Sequence, residues 1–226
     1  MRTFLTVSAL LAFFNSFGQT SAFRCGESLT DRRDGQSYQT VLIGSQCWMK
    51  QNLNMGVQVT DLKQSDNNLI EKTCYQNDEK WCGIFGGLYT WDEAMQYQSN
   101  IQGICPIGSH LPTKDEWEEL NVFLGTETTG QKLKARPDTS GFSWDGTNES
   151  GFLALPAGAG NHEYFKRKDQ WALFWSSTTA GIDRAWFSQL DSYWNQQPPK
   201  YKTLYIGNYY LKSNGFSIRC ILDKHK

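Results

Sequence analysis

The chain opens with an export signal and carries six cysteines, a combination that constrains its fold more than any other feature. Arg2 supplies a short positive start, and Phe4 to Phe14 form a largely apolar run of signal-peptide length. That run is shorter than the roughly 20 apolar residues a membrane span needs, and no later segment is long and apolar enough either. Thr20-Ser21-Ala22 places small residues where a signal peptidase cuts. Residues 1–22 therefore read as a signal peptide and 23–226 as a single domain, with cleavage after Gln19 as the alternative. Phe23-Arg24 ahead of Cys25 makes a poor lipid-attachment motif. The expectation is an exported protein, secreted or held at the cell surface. In that compartment an even set of cysteines (Cys25, Cys47, Cys74, Cys82, Cys105 and Cys220) reads as disulfides. Spacing alone leaves their pairing open.

The first part of the domain reads as a β-meander over residues 28–50. Asp34-Gly35 signals a two-residue hairpin turn, because glycine tolerates the positive φ such a turn requires. Gly44-Ser45 signals a second turn, and Ser37–Ile43 between them is rich in β-branched and aromatic residues. Residues 54–72 are polar and irregular and read as a surface loop. Two helix starts follow. Thr90 with Glu93, and Thr113 with Glu116, both have the spacing in which each side chain satisfies the other residue's free backbone N–H. Trp91, Ala94 and Met95 line the first helix; Trp117, Leu120 and Leu124 line the second, which Gly125 ends. These stripes read as core. Later come candidate strands at Phe152–Leu155, Phe174–Ser177, Ala185–Leu190, Thr203–Ile206 and Phe216–Ile221, separated by Gly, Asn, Asp and Ser clusters. Early helices followed by a β-rich half indicate an α+β fold.

A net charge of −1 and the absence of any long basic run argue against a nucleic-acid partner. Lys166-Arg167-Lys168 reads as a solvated turn. The aromatic content is high, with nine Trp, ten Tyr and thirteen Phe. Many rings fall within residues 183–212, interleaved with amide side chains. Trp186, Tyr193, Trp194, Tyr201 and Tyr209 are the candidate ligand contacts, because rings beside amides suit a sugar face or a protein epitope. Packing over a small core is the competing explanation for the same rings.

Further residues carry a family resemblance. Asp34–Val41, Gln46-Cys47-Trp48-Met49, Cys74–Cys82, Gly87-Leu88-Tyr89-Thr90-Trp91 and Gly108–Thr113 occur in order. Ala154–Gly158, Trp175-Ser176-Ser177-Thr178 and Gly215–Cys220 complete the series. Together they resemble the Fibrobacter succinogenes major paralogous domain, FISUMP, over roughly residues 27–223. The resemblance implies an extracellular bacterial domain with a C-type-lectin-like fold, similar also to formylglycine-generating enzymes: two short helices, small twisted antiparallel sheets and long loops, stapled by disulfides. In such folds a helix and the final strand are tied together, which implies Cys105–Cys220. Cys74 and Cys82 are close enough to close a local loop, and Cys25–Cys47 remains.

Asn77, Asp78 and Glu79, between Cys74 and Cys82, are hard oxygen ligands suited to calcium, but they lack the regular acidic spacing of a dedicated calcium loop. Asp145, Asn148 and Glu149 form a second such cluster that turn chemistry explains equally well. The expectation is no cofactor, with calcium the sole candidate. The resemblance makes a cysteine oxidase the natural enzyme hypothesis, yet every cysteine has a structural partner and none is left as a nucleophile. His110 sits at the entrance to a capped helix and reads as a turn-fixing residue. The functional expectation is a non-enzymatic recognition or adhesion module for an extracellular glycan or protein, with a subunit of a self-assembling extracellular structure as the alternative.

Overall fold

The computed structural model describes residues 23–142, 144–192 and 202–224. β1 (Ser28–Thr30), β2 (Ser37–Ile43) and β3 (Gln46–Met49) pair antiparallel in succession. Tyr38 and Thr40 point inward while Ser37 and Gln39 stay exposed, the two-residue period of a half-buried strand, which breaks after Thr40, where Leu42 is exposed and Ile43 buried. Gly44-Ser45 forms the tight turn between β2 and β3, since Ile43 pairs with Gln46. The β1–β2 connection is longer than the two-residue Asp34-Gly35 turn, because Thr30 pairs with Ser37. Its intervening residues wrap around Asp31, which is 1% exposed. The Asp31 carboxylate takes the Arg33 guanidinium (Nη2 to Oδ2, 2.6 Å) and the Arg33 backbone N–H (3.0 Å).

The long irregular stretch contains only a short parallel pair, β4 (Val57–Gln58) with β5 (Glu71–Lys72). Helices α1 (Glu79–Phe85) and α2 (Trp91–Ala94) precede β6 (Ser109–His110). Then come α3 (Lys114–Leu124), α4 (Thr129–Leu133) and α5 (Pro137–Ser140). The rest is largely β: β7 (Ala159–Gly160), β8 (Phe165–Lys166), β9 (Trp171–Thr179), β10 (Ala185–Asp191), β11 (Tyr205–Gly207) and β12 (Ile221–Leu222). One sheet has the order β1-β2-β3-β12-β6 and a second the order β11-β10-β9. The last strand thus enters the first sheet between β3 and β6.

Several local expectations change. The Thr113–Glu116 capping box is complete: Thr113 Oγ1 accepts from the Glu116 N–H (3.2 Å), and Glu116 Oε2 accepts from the Thr113 N–H (2.8 Å). The Thr90–Glu93 box is only half formed. Thr90 caps the Glu93 N–H at 3.4 Å, but the Thr90 N–H goes to Gln64 Oε1 at 2.7 Å. The fully buried Glu93 carboxylate instead accepts from the Glu71 N–H, Gln96 and Tyr97, so tertiary partners displace the local cap. α1 was not anticipated; it starts inside the Cys74–Cys82 loop, where the Asp78 side chain caps the Lys80 N–H. The expected strand at Phe152–Leu155 is a single bridging pair, Ala154 with Lys134. Only the end of the expected Phe216–Ile221 strand is in a sheet.

Three disulfides join Cys25 to Cys47, Cys74 to Cys82 and Cys105 to Cys220, and no cysteine is free. They tie the N-terminal segment to β3, the middle of α1 to the segment ahead of it, and the approach to β6 to the approach to β12. Such a set suits an oxidising compartment. Among the described residues no helix is long and apolar enough to cross a membrane. The aromatic residues supply much of the core: Trp48, Trp117, Phe152 and Phe174 stack in one cluster, and Trp175, Phe187 and Phe216 in another.

Candidate functional site: an exposed tyrosine face

The three-stranded sheet positions the surface that stands out. On β11, Tyr205 pairs with Gln189 and Gly207 pairs with Phe187. Residues two apart on a strand share a face, and the Tyr205 ring lies across Gly207: a Cβ added at Gly207 would sit 2.4 Å from that ring. Glycine there lets the ring lie flat against the sheet. Beyond Gly207 the chain turns through Asn208 and adds Tyr209 and Tyr210.

The buried Phe187 ring is the hub. Its centroid is 6.1 Å from Tyr205, 5.1 Å from Tyr209 and 4.9 Å from Tyr210. Tyr209 lies 6.0 Å from Tyr205 and 4.6 Å from Tyr210. The β7–β8 hairpin contributes Tyr164 and Lys166, whose ammonium sits 5.5 Å from the Tyr164 ring and 5.4 Å from the Tyr210 ring. Tyr164, Tyr205 and Tyr209 are each close to half exposed, at 49%, 47% and 47%. Burial first, and then the neighbouring tyrosines, push the Tyr209 phenol well above its ordinary pKa, so it stays neutral and can donate a hydrogen bond. The result is a set of ring edges and hydroxyls held on a rigid aromatic base beside one ammonium.

Of the residues expected to bind, Tyr209 lies in this face. Trp186 does not join it. Its ring is partly buried and packs under the Lys114 ammonium at 5.0 Å, beside the start of α3. Tyr193, Trp194 and Tyr201 lie outside the described residues. Tyr164 and Lys166 were missed, because their place in the face depends on a hairpin remote in sequence. The basic triplet is not a merely solvated turn: Lys168 sits 4.3 Å from Trp81 and Arg167 5.0 Å from Trp171, so each cation covers a ring.

The other candidate clusters are engaged in local structure. Asn77 exchanges hydrogen bonds with Asp61, donating to Oδ1 at 2.8 Å and accepting from the Asp61 N–H at 2.9 Å. Asp78 caps α1 and pairs with Lys80. Asp145 pairs with the buried Lys134, and Asn148 accepts from the Leu153 N–H. Among the described residues no group of three or more His, Cys, Asp or Glu is arranged to hold a metal ion. His110 is clasped on both sides, Nδ1 at 2.6 Å from Asp223 and Nε2 at 3.0 Å from Glu116. Burial works against its charge, but the hydrogen bonds and charges of Glu116 and then Asp223 outweigh it and raise its pKa. It thereby joins β6, α3 and the segment after β12.

The family model for the Fibrobacter succinogenes major domain matches residues 41–222, most of the chain. The chain belongs to that family. No curated protein and no solved structure matches it. Of the face described above, the matched region of this Fibrobacter succinogenes major domain contains every residue: Tyr164, Lys166, Phe187, Tyr205, Tyr209 and Tyr210. It also contains five of the six cysteines, with Cys25 outside it.

Proposed function

We propose that this domain is a secreted or cell-surface recognition module that binds a glycan through the face formed by Tyr164, Lys166, Tyr205, Tyr209 and Tyr210. The observation that carries the reading is the exposure of three neighbouring tyrosine rings on a buried aromatic base. Rigid rings bind with little loss of side-chain freedom, and a ring face covers sugar C–H groups while hydroxyls and an ammonium meet the sugar's oxygens. The three disulfides support export, and the engagement of all six cysteines supports a role other than thiol chemistry.

The test is a glycan array probed with the purified mature domain and with Tyr205→Ala, Tyr209→Ala and Trp186→Ala variants. The reading expects hits that weaken about tenfold in the two tyrosine variants, a loss of about 1.4 kcal/mol each. Trp186→Ala should bind as the parent does. An array without hits, or hits indifferent to both tyrosines, overturns it. Self-association that Tyr209→Ala abolishes would assign the same face to an assembly contact instead.

A further inference from the structure

A second surface feature shares no residue with the tyrosine face. It is a cleft of about 200 Å³ between the start of β2, the segment after β3 and the end of α1. Its lining includes Arg219, Lys50, Gln36, Gln51, Asn52 and Asn54, and no Asp or Glu. The Cys74–Cys82 disulfide holds α1 in place, and Cys82 itself borders the cleft. Gly86, at φ +77°, ends the helix there, where a Cβ would meet Leu53 O at 2.7 Å and Asn52 Cβ at 2.8 Å.

Arg219 is 1% exposed and has no carboxylate partner among the described residues. Asn52 Oδ1 accepts from Nε (3.1 Å) and Nη2 (2.6 Å), while the Met49 and Phe152 carbonyls accept from Nη1 (3.1 and 2.5 Å). The other Nη2–H has no acceptor among the described residues. Its guanidinium also lies 4.3 Å from the Phe152 ring. Burial lowers its pKa to about 9, so it remains cationic at neutral pH. Lys50 is partly buried at the rim, and among the described residues its ammonium is held only by the uncharged Gln39 Oε1 at 3.1 Å. Asp34 holds Gln36 Nε2 at 2.8 Å but lines an adjoining hollow together with Lys72.

We propose that this cleft binds the carboxylate of an acidic sugar, with Lys50 and Arg219 facing the charge and Gln51 and Asn54, whose amide nitrogens have no acceptor among the described residues, taking the hydroxyls. Two cations without a lining acid select an anion. Amides that both donate and accept suit polyhydroxy ligands better than a bare inorganic anion. The volume is below the roughly 300–1,000 Å³ of drug-sized ligand pockets and suits one glycan residue. This site is independent of the tyrosine face, and either can fail without the other.

The experiment is isothermal titration of the mature domain with galacturonate and glucuronate oligosaccharides. Uncharged hexose oligosaccharides of equal length and a short peptide with a free carboxyl terminus serve as further arms. Lys50→Gln and Lys50→Glu, at the rim, test the contact without touching the buried arginine, with melting temperature as the check on folding. The expected result is uronate binding that weakens about tenfold in Lys50→Gln, is lost in Lys50→Glu, and falls with added salt. Tyr209→Ala should leave the Lys50-dependent part of uronate binding unchanged. Absence of uronate binding, equal binding of the neutral sugars, or retention in a folded Lys50→Glu overturns the proposal. Peptide binding that equals or exceeds uronate binding overturns the sugar assignment in favour of a carboxyl-terminal peptide.

Discussion

Replacing each cysteine pair by alanine should destabilise the domain most at Cys105–Cys220, the disulfide that closes the longest loop. The residues joined are 115 apart for Cys105–Cys220, 22 apart for Cys25–Cys47 and 8 apart for Cys74–Cys82. In the chain-entropy description these separations correspond to about 5, about 3.4 and about 2.5 kcal/mol of lost stability. Packing reinforces the top of the ranking. Cys105 and Cys220 are fully buried beside Leu111 and Ile218, and trimming both to alanine leaves an unfilled space worth on the order of another 1 kcal/mol. Cys25 and Cys47 are partly exposed, so their removal adds little of this kind, whereas Cys74 and Cys82 are buried and the same increment brings that pair about level with Cys25–Cys47. The assay is urea unfolding of the mature domain at neutral pH, with stability extrapolated to zero denaturant. Removal of Cys105–Cys220 should take a large share of the about 5–15 kcal/mol that a domain of this kind has in hand. If removing Cys74–Cys82 costs as much as removing Cys105–Cys220, loop closure is not the main contribution of these bonds and the reasoning fails.

The His110 clasp makes stability depend on pH in a defined direction. Its folded pKa is raised above the ordinary 6.5, so its contribution is complete below about 6.5 and is lost as pH rises through the folded value. Glu116 is lowered below its ordinary 4.5, chiefly by His110 and Thr113 acting against burial, so its contribution is complete above 4.5 and is lost on acidification. Unfolding free energies across pH 4.5 to 9 should therefore fall on the alkaline side in the parent and flatten there in His110→Gln; parallel curves would contradict the clasp. Arg219→Met should cost about 3 kcal/mol or more, because it strands Asn52 Oδ1 and the Met49 and Phe152 carbonyls in the interior. A melting temperature within a degree or two of the parent would refute that role.

Much of this architecture is legible in the residues because it is local. The β-branched and aromatic run Ser37–Ile43, the Gly44-Ser45 turn and the Thr113–Glu116 box each act within a few residues, and each appears in the structure. The α+β class and the three disulfide pairs also appear as the resemblance implies. What escaped is non-local. Glu79–Phe85 is a short run interrupted by Gly83 and carries too little periodicity to announce α1; its capping Asp78 looked instead like part of a metal loop. Glu93 has the spacing of a cap, but its carboxylate is drawn to Glu71, Gln96 and Tyr97. Of the candidate site, Tyr209 alone was legible, as one ring of the aromatic stretch over residues 183–212, whereas nothing in sequence sets it against Tyr205 and Tyr210 or links it to Tyr164 and Lys166. Nor does sequence reveal that Arg219, beside Cys220 just ahead of β12, is buried with no carboxylate partner among the described residues.

The most direct test of the recognition reading is depletion of the purified domain from solution by insoluble polysaccharides and cell-wall preparations. The parent is compared with a Tyr205→Ala/Tyr209→Ala double variant of matched melting temperature. The account predicts that at least one polysaccharide removes the parent and leaves the double variant in the supernatant. Equal depletion of both proteins, or depletion of neither by any glycan, would contradict it.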